Sequence, residues 1–486
     1  PLSHSPYVPE GSIHLLEDQA REVEMLSINY PILEDTNSHI IFIRAPFPDN
    51  AQLIDTILDH LAHNRGVKLE GFREPDIIKA LSSEYMAMHW NVQPAQLVEV
   101  HDTFKKMKTP GTPYKKMLHS EFIARLADPT RSEKVLDVPM AHRGAPPPFG
   151  TRLMDDGYDA WNNISSQYDW PHGLSREQWA DANWGLIHHA GTLTGEHHEA
   201  DGKIGLIAAE QGCKLWTTFF PKEKFLRDNV DKYFDAIFNC SSSEEQPRPS
   251  LDVAVGYTLV LLPGDCYFQP SGAAHAVYTP EPSFTMHQVE VSRLYDAEGG
   301  IWSTNLDHDP DRVYEGLVQL MLYLPTNPNK SCLRILLVHY KRSLASFLLM
   351  ILEPESYIPT HRRAYGFPED LEDPEAEEEA LANHEQMLSN AHKSVKKCLW
   401  ASLAKKYAKR VATFIGLPTV EDLKVFLGTG NALCDPGEKI SIAGVLNEIL
   451  TEQAMKREAE EEKVDNRPAK ERPQHGKKSK SGRKKR

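Results

Sequence analysis

The sequence predicts an α+β protein in which an antiparallel jelly roll, or a related barrel, lies between two helical regions. Short apolar runs separated by Gly and Pro turns fall between residues 157 and 306, which is the spacing of a sandwich or barrel. Helical periodicity dominates on both sides of this segment. The 486 residues, 40% of them hydrophobic, are enough to build a large core.

Residues 1–156 are predicted to form an α-rich N-terminal region of helix and coil. A Pro-punctuated opening leads into a helical pattern from about Ser12 to Ser27. The run HIIFIRAPF then predicts a buried strand, and NAQLIDTILDHLAHN predicts an amphipathic helix. The segment MAHRGAPPPFG is interpreted as a linker, because its prolines have no backbone N–H to donate.

Residues 157–306 carry the predicted barrel. Ser175 and Gln178 form a capping-box pattern, which predicts a short helix ahead of the strands. The predicted strands are WGLIHHAGTLT, KIGLIAA, CKLWTTFF, YTLVLL, AHAVY and SFTMHQVEV.

A helical pattern returns in residues 307–463, interrupted by an acidic linker near residues 368–380. The most apolar segment, Leu333 to Leu352, is broken by charged residues. It falls short of the roughly 20 apolar residues that a membrane span needs. We therefore expect a buried helix there and no membrane association. Residues 464–486 are predicted to be a disordered basic tail.

Charge and cysteine usage narrow the class of protein. The net charge is −15, but the tail from Lys470 to Arg486 carries nine Lys or Arg and one Glu, so the preceding residues carry −23. An acidic body argues against a nucleic-acid-binding domain, whereas the tail could contact nucleic acid or a nuclear import receptor. The six cysteines are scattered without C-x-x-C spacing, which indicates an intracellular, reducing compartment.

The stretch TGEHHEADGK, which begins at Thr194, contains candidate metal ligands. His197 and Glu199 are two residues apart, so both side chains face the same side of an extended chain. The rival pair, His198 and Asp201, would need a helix or a turn, which the flanking glycines disfavour. The extended pair is preferred, with a third ligand required from elsewhere in the chain.

The segment PGDCYFQPSGAAHAVY offers that third ligand. Its glycines allow tight turns and its proline fixes the chain direction, so that the following strand can present His275 inward. The two segments read as G-x5-H-x-E, from Gly191, and G-x5-P-x-G-x2-H, from Gly264. These are the two half-motifs of a cupin-type barrel.

With GCKLW between them, the half-motifs resemble the Jumonji C family of Fe(II)- and 2-oxoglutarate-dependent oxygenases. The resemblance covers roughly Trp184 to Val291 and is closest to fungal Jumonji C-like proteins. It implies a double-stranded β-helix in which His197, Glu199 and His275 bind iron as the catalytic residues. Two histidines and one carboxylate leave three coordination positions open, which suits non-haem Fe(II).

The resemblance also implies how 2-oxoglutarate is held. Lys214 lies where the family's lysine binds the far carboxylate of this cosubstrate, and Thr194 matches a hydroxyl position that some members use on the same carboxylate. Trp216 shares the face of Lys214 on a regular strand and is expected beside the cosubstrate. Of the adjacent His188 and His189, one is expected to line the pocket and the other to be packed or solvated. His287, in the last predicted strand, is interpreted as structural rather than as a fourth ligand.

The implied activity is hydroxylation of a protein substrate, or N-demethylation through hydroxylation. Histones are one candidate, because Glu at the position of Glu199 is frequent among histone lysine demethylases. Two alternatives stay open: a catalytically inactive barrel that serves as a binding or scaffold module, and a metal-binding cupin that acts without 2-oxoglutarate. The second leaves Lys214 unexplained. We also expect a homodimer through the C-terminal helices and a nuclear protein.

Overall fold

The structure is a computed structural model that describes part of the chain. The described residues are 23–24, 26–72, 81–90, 92–103, 114–126, 128, 131–139, 183–197, 203–222, 254–270, 273–291, 340–354, 400–428 and 437–465, with isolated positions between 314 and 324 and between 382 and 398. Within them the protein is a mixed α+β structure of two largely antiparallel sheets and several helices, which confirms the predicted class.

The N-terminal region differs from the helix and coil that its sequence predicts. The predicted strand and amphipathic helix are present, but further strands follow. Its elements are β1 (Ile40–Arg44), α1 (Asn50–Ala62), β2 (Gly66–Glu70), α2 (Ser83–Trp90), β3 (Leu97–Asp102), β4 (Tyr114–Leu118), α3 (His119–Arg125) and β5 (Glu133–Pro139). Lys, Glu and Asp recur along β3 to β5, because the outer face of these strands is partly solvated. Pairing with neighbouring strands outweighs the weak local signal.

The central strands follow the predicted runs. They are β6 (Asn183–His188), β7 (Thr192–His197), β8 (Lys203–Gln211), β9 (Lys214–Pro221), β10 (Ala254–Leu261), β11 (Cys266–Gln269), β12 (His275–Thr279) and β13 (Ser283–Val291). The sequence did not predict β11 as a separate strand, and the single predicted run WGLIHHAGTLT is divided between β6 and β7. The large sheet has the order β1-β2-β11-β8-β13-β6-β5-β3-β4, and the small sheet has the order β10-β9-β12-β7.

The two sheets face each other across an interior that is both apolar and polar. Thr218 Oγ1 on β9 lies 3.1 Å from the hydroxyl of Tyr267 on β11. Around this contact, Phe42, Ile207 and Phe220 are among the buried apolar side chains. Among the described strands, every neighbouring pair is antiparallel except β1 and β2. No described strand belongs to both sheets, so hydrogen bonding does not close a barrel within the described part of the chain.

Other elements cover the outer faces of both sheets. Helices α1 to α3 pack on the large sheet through apolar side chains such as Leu53, Ile57 and Phe122. Residues before β1, including Leu26 and Tyr30, pack on the small sheet against Phe219. The interior of the sandwich is therefore shielded from solvent on both sides.

The described C-terminal residues form a separate helical core. Its helices are α4 (Lys341–Leu352), α5 (Ala401–Phe414), α6 (Val420–Leu427) and α7 (Ala443–Asp465). The predicted buried helix is confirmed over α4, whose central residues are fully buried. Among the helices that are described, none is long and apolar enough to cross a membrane.

Several sequence predictions fall outside the described residues. They are the linker MAHRGAPPPFG, the helix capped by Ser175, the acidic linker near 368–380 and the tail from residue 466 onward.

Candidate functional site

The structure brings His197 and His275 together. His197 is the last residue of β7, His275 is the first of β12, and the two are direct cross-strand partners. Their ring centroids lie 4.0 Å apart. His275 is fully buried, whereas His197 is half-buried, so this pair lies where the sandwich interior meets its edge.

The ring of His197 is oriented by its own strand. Its Nδ1 lies 2.8 Å from the carbonyl oxygen of Gly195. Because a carbonyl only accepts hydrogen bonds, Nδ1 must carry the proton, and the lone pair of His197 is then on Nε2. This is the tautomer that binds metal ions through Nε2.

The third predicted ligand, Glu199, lies two residues beyond the end of β7 and outside the described residues. The described residues by themselves contain no cluster of three His, Cys, Asp or Glu side chains suited to a metal. Two adjacent imidazoles match two of the three predicted donors, and imidazole suits Fe, Zn, Cu and Ni alike. Which metal the site would bind therefore depends on the carboxylate ligand, predicted to be Glu199.

Aromatic and amide groups surround His275. The ring of Trp216 stacks on the imidazole with centroids 4.7 Å apart and an interplanar angle of 12°. Gln269 donates from Nε2 to the carbonyl oxygen of Ala273 at 3.1 Å, and the same nitrogen lies 2.9 Å from His275 Nδ1. Trp216 thus lies beside the imidazole pair, on the same face of β9 as Lys214.

Lys214 lies near the opposite end of β12 from His275. Its side chain is only 1% exposed, and its Nζ donates to Thr279 Oγ1 at 2.9 Å and to His188 Nδ1. Burial holds the pKa of Lys214 well below its usual value, and the nearby positive charge of Lys134 lowers it further. Within the described residues, no carboxylate contributes to this shift.

A second lysine, which the sequence did not single out, enters from the large sheet. Lys134 on β5 is half-buried and donates from Nζ to Thr194 Oγ1 at 3.0 Å and to the carbonyl oxygen of Leu193 at 3.3 Å. The predicted hydroxyl of Thr194 is therefore part of a lysine-containing cluster. No local signal marks Lys134, because its role depends on the pairing of β5 with β6.

His188 connects the two lysines. It is the register partner of Lys134 and accepts a hydrogen bond from Lys214. Its Nε2 therefore carries the proton, and this N–H is buried with no hydrogen-bond partner among the described residues. The hydroxyls of Ser283 and Thr285, on the adjacent strand, are buried in the same way. Burial and the two lysines hold the pKa of His188 well below its usual value.

The neighbouring His189 has the other predicted role. Its Nδ1 lies 2.9 Å from the carbonyl oxygen of Glu133, and its Nε2 lies 2.9 Å from the carbonyl oxygen of Arg125. It packs away from the interior, against α3. The prediction that one of the two histidines is packed is confirmed for His189, whereas the pocket-lining role of the other, His188, stays a prediction.

Comparison of the sequence with protein-family models and with curated proteins finds no match. Any function assigned to the site therefore rests on the residues that form it. A pair of imidazoles lies at one end of β12, and the buried amino group of Lys214 lies at the other. Lys214 is four residues before Thr218, the partner of His275, which corresponds to about 13 Å along the strand.

Proposed function

We propose that the protein is an Fe(II)- and 2-oxoglutarate-dependent oxygenase built on a double-stranded β-helix. The observation that carries this proposal is the arrangement along β12. Two imidazoles that meet across strands lie at one end, and the buried ammonium of Lys214 lies at the other. A short molecule with a metal-binding head and an anionic tail matches this arrangement.

His197, Glu199 and His275 would hold the iron. The His197 tautomer leaves its Nε2 lone pair facing away from the backbone, and the contact with His275 gives two of the three donors. Bound iron supplies the coupling of dioxygen reduction and 2-oxoglutarate decarboxylation to hydroxylation of a C–H bond. The remaining task of the chain is to bind, orient and shield the reactants.

Lys214 and Lys134 would hold the far carboxylate of 2-oxoglutarate. Lys214 is 1% exposed and no described carboxylate contributes to its pKa shift, so burial of its positive charge becomes more favourable when an anion is added. An arriving carboxylate accepts hydrogen bonds from ammonium groups and from the hydroxyls of Thr194 and Thr279. The His188 Nε2–H is a further donor in the same interior.

The substrate would approach from the side of His197. This residue is half-buried, whereas Lys214 and His275 are almost completely buried. A target side chain from another protein therefore reaches the imidazole pair before the carboxylate-binding end. We propose hydroxylation of a protein substrate, or N-demethylation by hydroxylation, with histones among the candidates.

We also propose where the protein is located and how it assembles. The basic tail supports a nuclear location, and the scattered cysteines support an intracellular one. A homodimer through the C-terminal helices is supported by exposed apolar side chains on α5, α6 and α7, namely Phe414, Val425 and Met455.

The test is an anaerobic titration with Fe(II) and 2-oxoglutarate. We expect a metal-to-ligand absorption band in the wild type and its loss in His197→Ala and His275→Ala. His89→Ala is the matched control, because His89 is exposed on α2 and distant in sequence from the site. Absence of the band, together with no succinate formed over a peptide library, would instead favour a catalytically inactive binding module.

A further inference from the structure

Gln269 is buried between the stacked Trp216 and the proposed iron ligand His275. It is the last residue of β11 and is 1% exposed. Its amide contacts three groups: Trp216 Nε1 at 2.7 Å, the carbonyl oxygen of Ala273 at 3.1 Å and His275 Nδ1 at 2.9 Å. Each end of the amide therefore has a defined neighbour.

The orientation of this amide follows from the chemistry of its neighbours. The indole Nε1–H of Trp216 is only a donor, so the amide atom that faces it must be the oxygen. The amide nitrogen then faces the carbonyl of Ala273, which only accepts, and the ring nitrogen of His275. Rotating the amide by half a turn would oppose two donors at one end and two acceptors at the other.

This orientation determines which tautomer of His275 is favoured. The two hydrogens of the amide nitrogen are directed at the Ala273 oxygen and at His275 Nδ1. As an acceptor from Gln269, Nδ1 has no proton, and the proton of a neutral ring is then on Nε2. A metal bound through Nε2 requires the opposite tautomer, with Nδ1 donating to an acceptor.

The two histidines of the site thus differ. The Nδ1 of His197 faces a carbonyl oxygen, which favours a metal-binding ring, whereas the Nδ1 of His275 faces an amide donor. An acceptor for a protonated Nδ1 does exist, because the Ala273 oxygen lies 3.2 Å from it. To use it, His275 must give up the bond from Gln269 and place two N–H groups within 2.9 Å of each other.

We propose that Gln269, held in place by Trp216, weakens metal binding at His275 by favouring the tautomer whose Nε2 is protonated. Gln269 is on this view a positioning residue that lowers the affinity of the site for divalent metals. The inference rests on the proposed metal site, but it also makes a statement about the metal-free protein. It predicts that substitutions which allow His275 Nδ1 to carry the proton tighten metal binding. General damage to the fold would not produce such a gain.

Each variant changes a different part of the contacts that join Trp216, Gln269 and His275. In Gln269→Glu, the carboxylate accepts from both Trp216 Nε1–H and a protonated His275 Nδ1. We expect anaerobic Co(II) titration, followed by its visible absorption, to show affinity about 10- to 100-fold above wild type. In Trp216→Phe, the amide loses one of the two contacts that fix its orientation, but the Ala273 oxygen still accepts from its nitrogen, so affinity should rise less than in Gln269→Glu. Gln269→Leu removes the donor and should give a smaller gain.

The control for added negative charge is Gln52→Glu. Gln52 is exposed on α1, so this variant should bind Co(II) as the wild type does. Thermal unfolding of each variant shows whether the fold is retained. Unchanged or weaker Co(II) binding in folded Gln269→Glu would overturn the inference.

A second measurement does not depend on metal. In protein with ¹⁵N-labelled histidine, the ring nitrogen shifts of His275, assigned with His275→Ala, should show a protonated Nε2 in metal-free wild type. The proton should move to Nδ1 in Gln269→Glu. If no variant binds Co(II), the proposed oxygenase function fails while this measurement still decides the role of Gln269. A protonated Nδ1 in the metal-free wild type would refute that role.

Discussion

Lys134 and His188 lie directly opposite each other on β5 and β6. Lys214 reaches the same imidazole from the small sheet, so a single histidine is flanked by a lysine from each sheet. Both lysines contact threonine hydroxyls, Lys134 that of Thr194 and Lys214 that of Thr279. Their joint presence supports the proposal that an anion binds in this interior.

Substituting either lysine should weaken 2-oxoglutarate binding. We expect Lys214→Met to reduce affinity about 100-fold and Lys134→Met about 10-fold, because a hydrogen bond to a charged group contributes roughly 1.5–3 kcal/mol. Isothermal titration calorimetry with Co(II)-loaded protein measures the effect. Lys116→Met, an exposed lysine on β4, should bind normally. If both variants lose Co(II) as strongly as 2-oxoglutarate, the lysines are structural.

Cosubstrate binding should take up a proton. In the free protein, burial and Lys134 hold the pKa of Lys214 well below its usual value. His188 and the thiol of Cys213 are the other titratable groups beside it. A bound carboxylate raises the pKa of Lys214, so affinity should fall as pH rises through the interval between the free and bound values.

Calorimetry in buffers of different ionisation enthalpy measures this proton uptake directly. The uptake should disappear in Lys214→Met. Equal uptake in that variant and in the wild type would place the proton on another group.

The fold should lose stability in mild acid through His119. This residue is fully buried on α3, both its ring nitrogens lack partners among the described residues, and burial lowers its pKa to about 4. Between the unfolded pKa near 6.5 and about 4, the unfolded chain binds the extra proton. Stability is therefore fully present above about 6.5 and declines as pH falls through this window.

His119→Phe should reduce that decline by about 1–3 kcal/mol at pH 4. Urea unfolding at pH 7 and at pH 4 gives the comparison, and His89→Phe, at an exposed position, is the control. An unchanged pH dependence in His119→Phe would assign the acid sensitivity to other groups.

The capping box of α6 should contribute to the C-terminal helical core. The hydroxyl of Thr419 accepts from the backbone N–H of Asp422, whose carboxylate accepts from the backbone N–H of Thr419. Thr419→Ala should cost about 1 kcal/mol and lower the melting temperature. Thr413→Ala, which removes an exposed hydroxyl within α5, should change it little.

Deleting Lys477 to Arg486 tests the proposed nuclear address. These residues include seven of the nine basic residues of the tail. Fluorescence microscopy of a tagged protein should show loss of nuclear accumulation after deletion. Unchanged accumulation would reject the tail as an import signal.

Local sequence patterns predicted most of the central strands and part of the candidate site. The alternating and apolar runs predicted most of the central strands, and the spacing of Gly264, Pro270 and Gly272 predicted that His275 begins a strand. These signals are short-range. Glu199 stays a prediction, because it lies outside the described residues.

Long-range pairing accounts for what the sequence did not predict. Lys134 joins the site because β5 pairs with β6. Gln269 lies only six residues before His275, but their contact depends on β11 and β12 belonging to different sheets that face each other. Neither relationship leaves a periodic signal in one segment. Strands β3 to β5 were missed for a similar reason, since charged residues on their solvated face hide the apolar alternation.

The position of β2 beside β11 limits how the protein can be divided. Val67 and Leu69 on β2 pair with Phe268 and Cys266 on β11, only a few residues before His275. If residues 157–306 were expressed alone, β11 would become an exposed edge strand, and its unpaired backbone groups would promote aggregation. A soluble fragment for crystallography or screening should therefore begin before Ile40, so that the first two strands are retained.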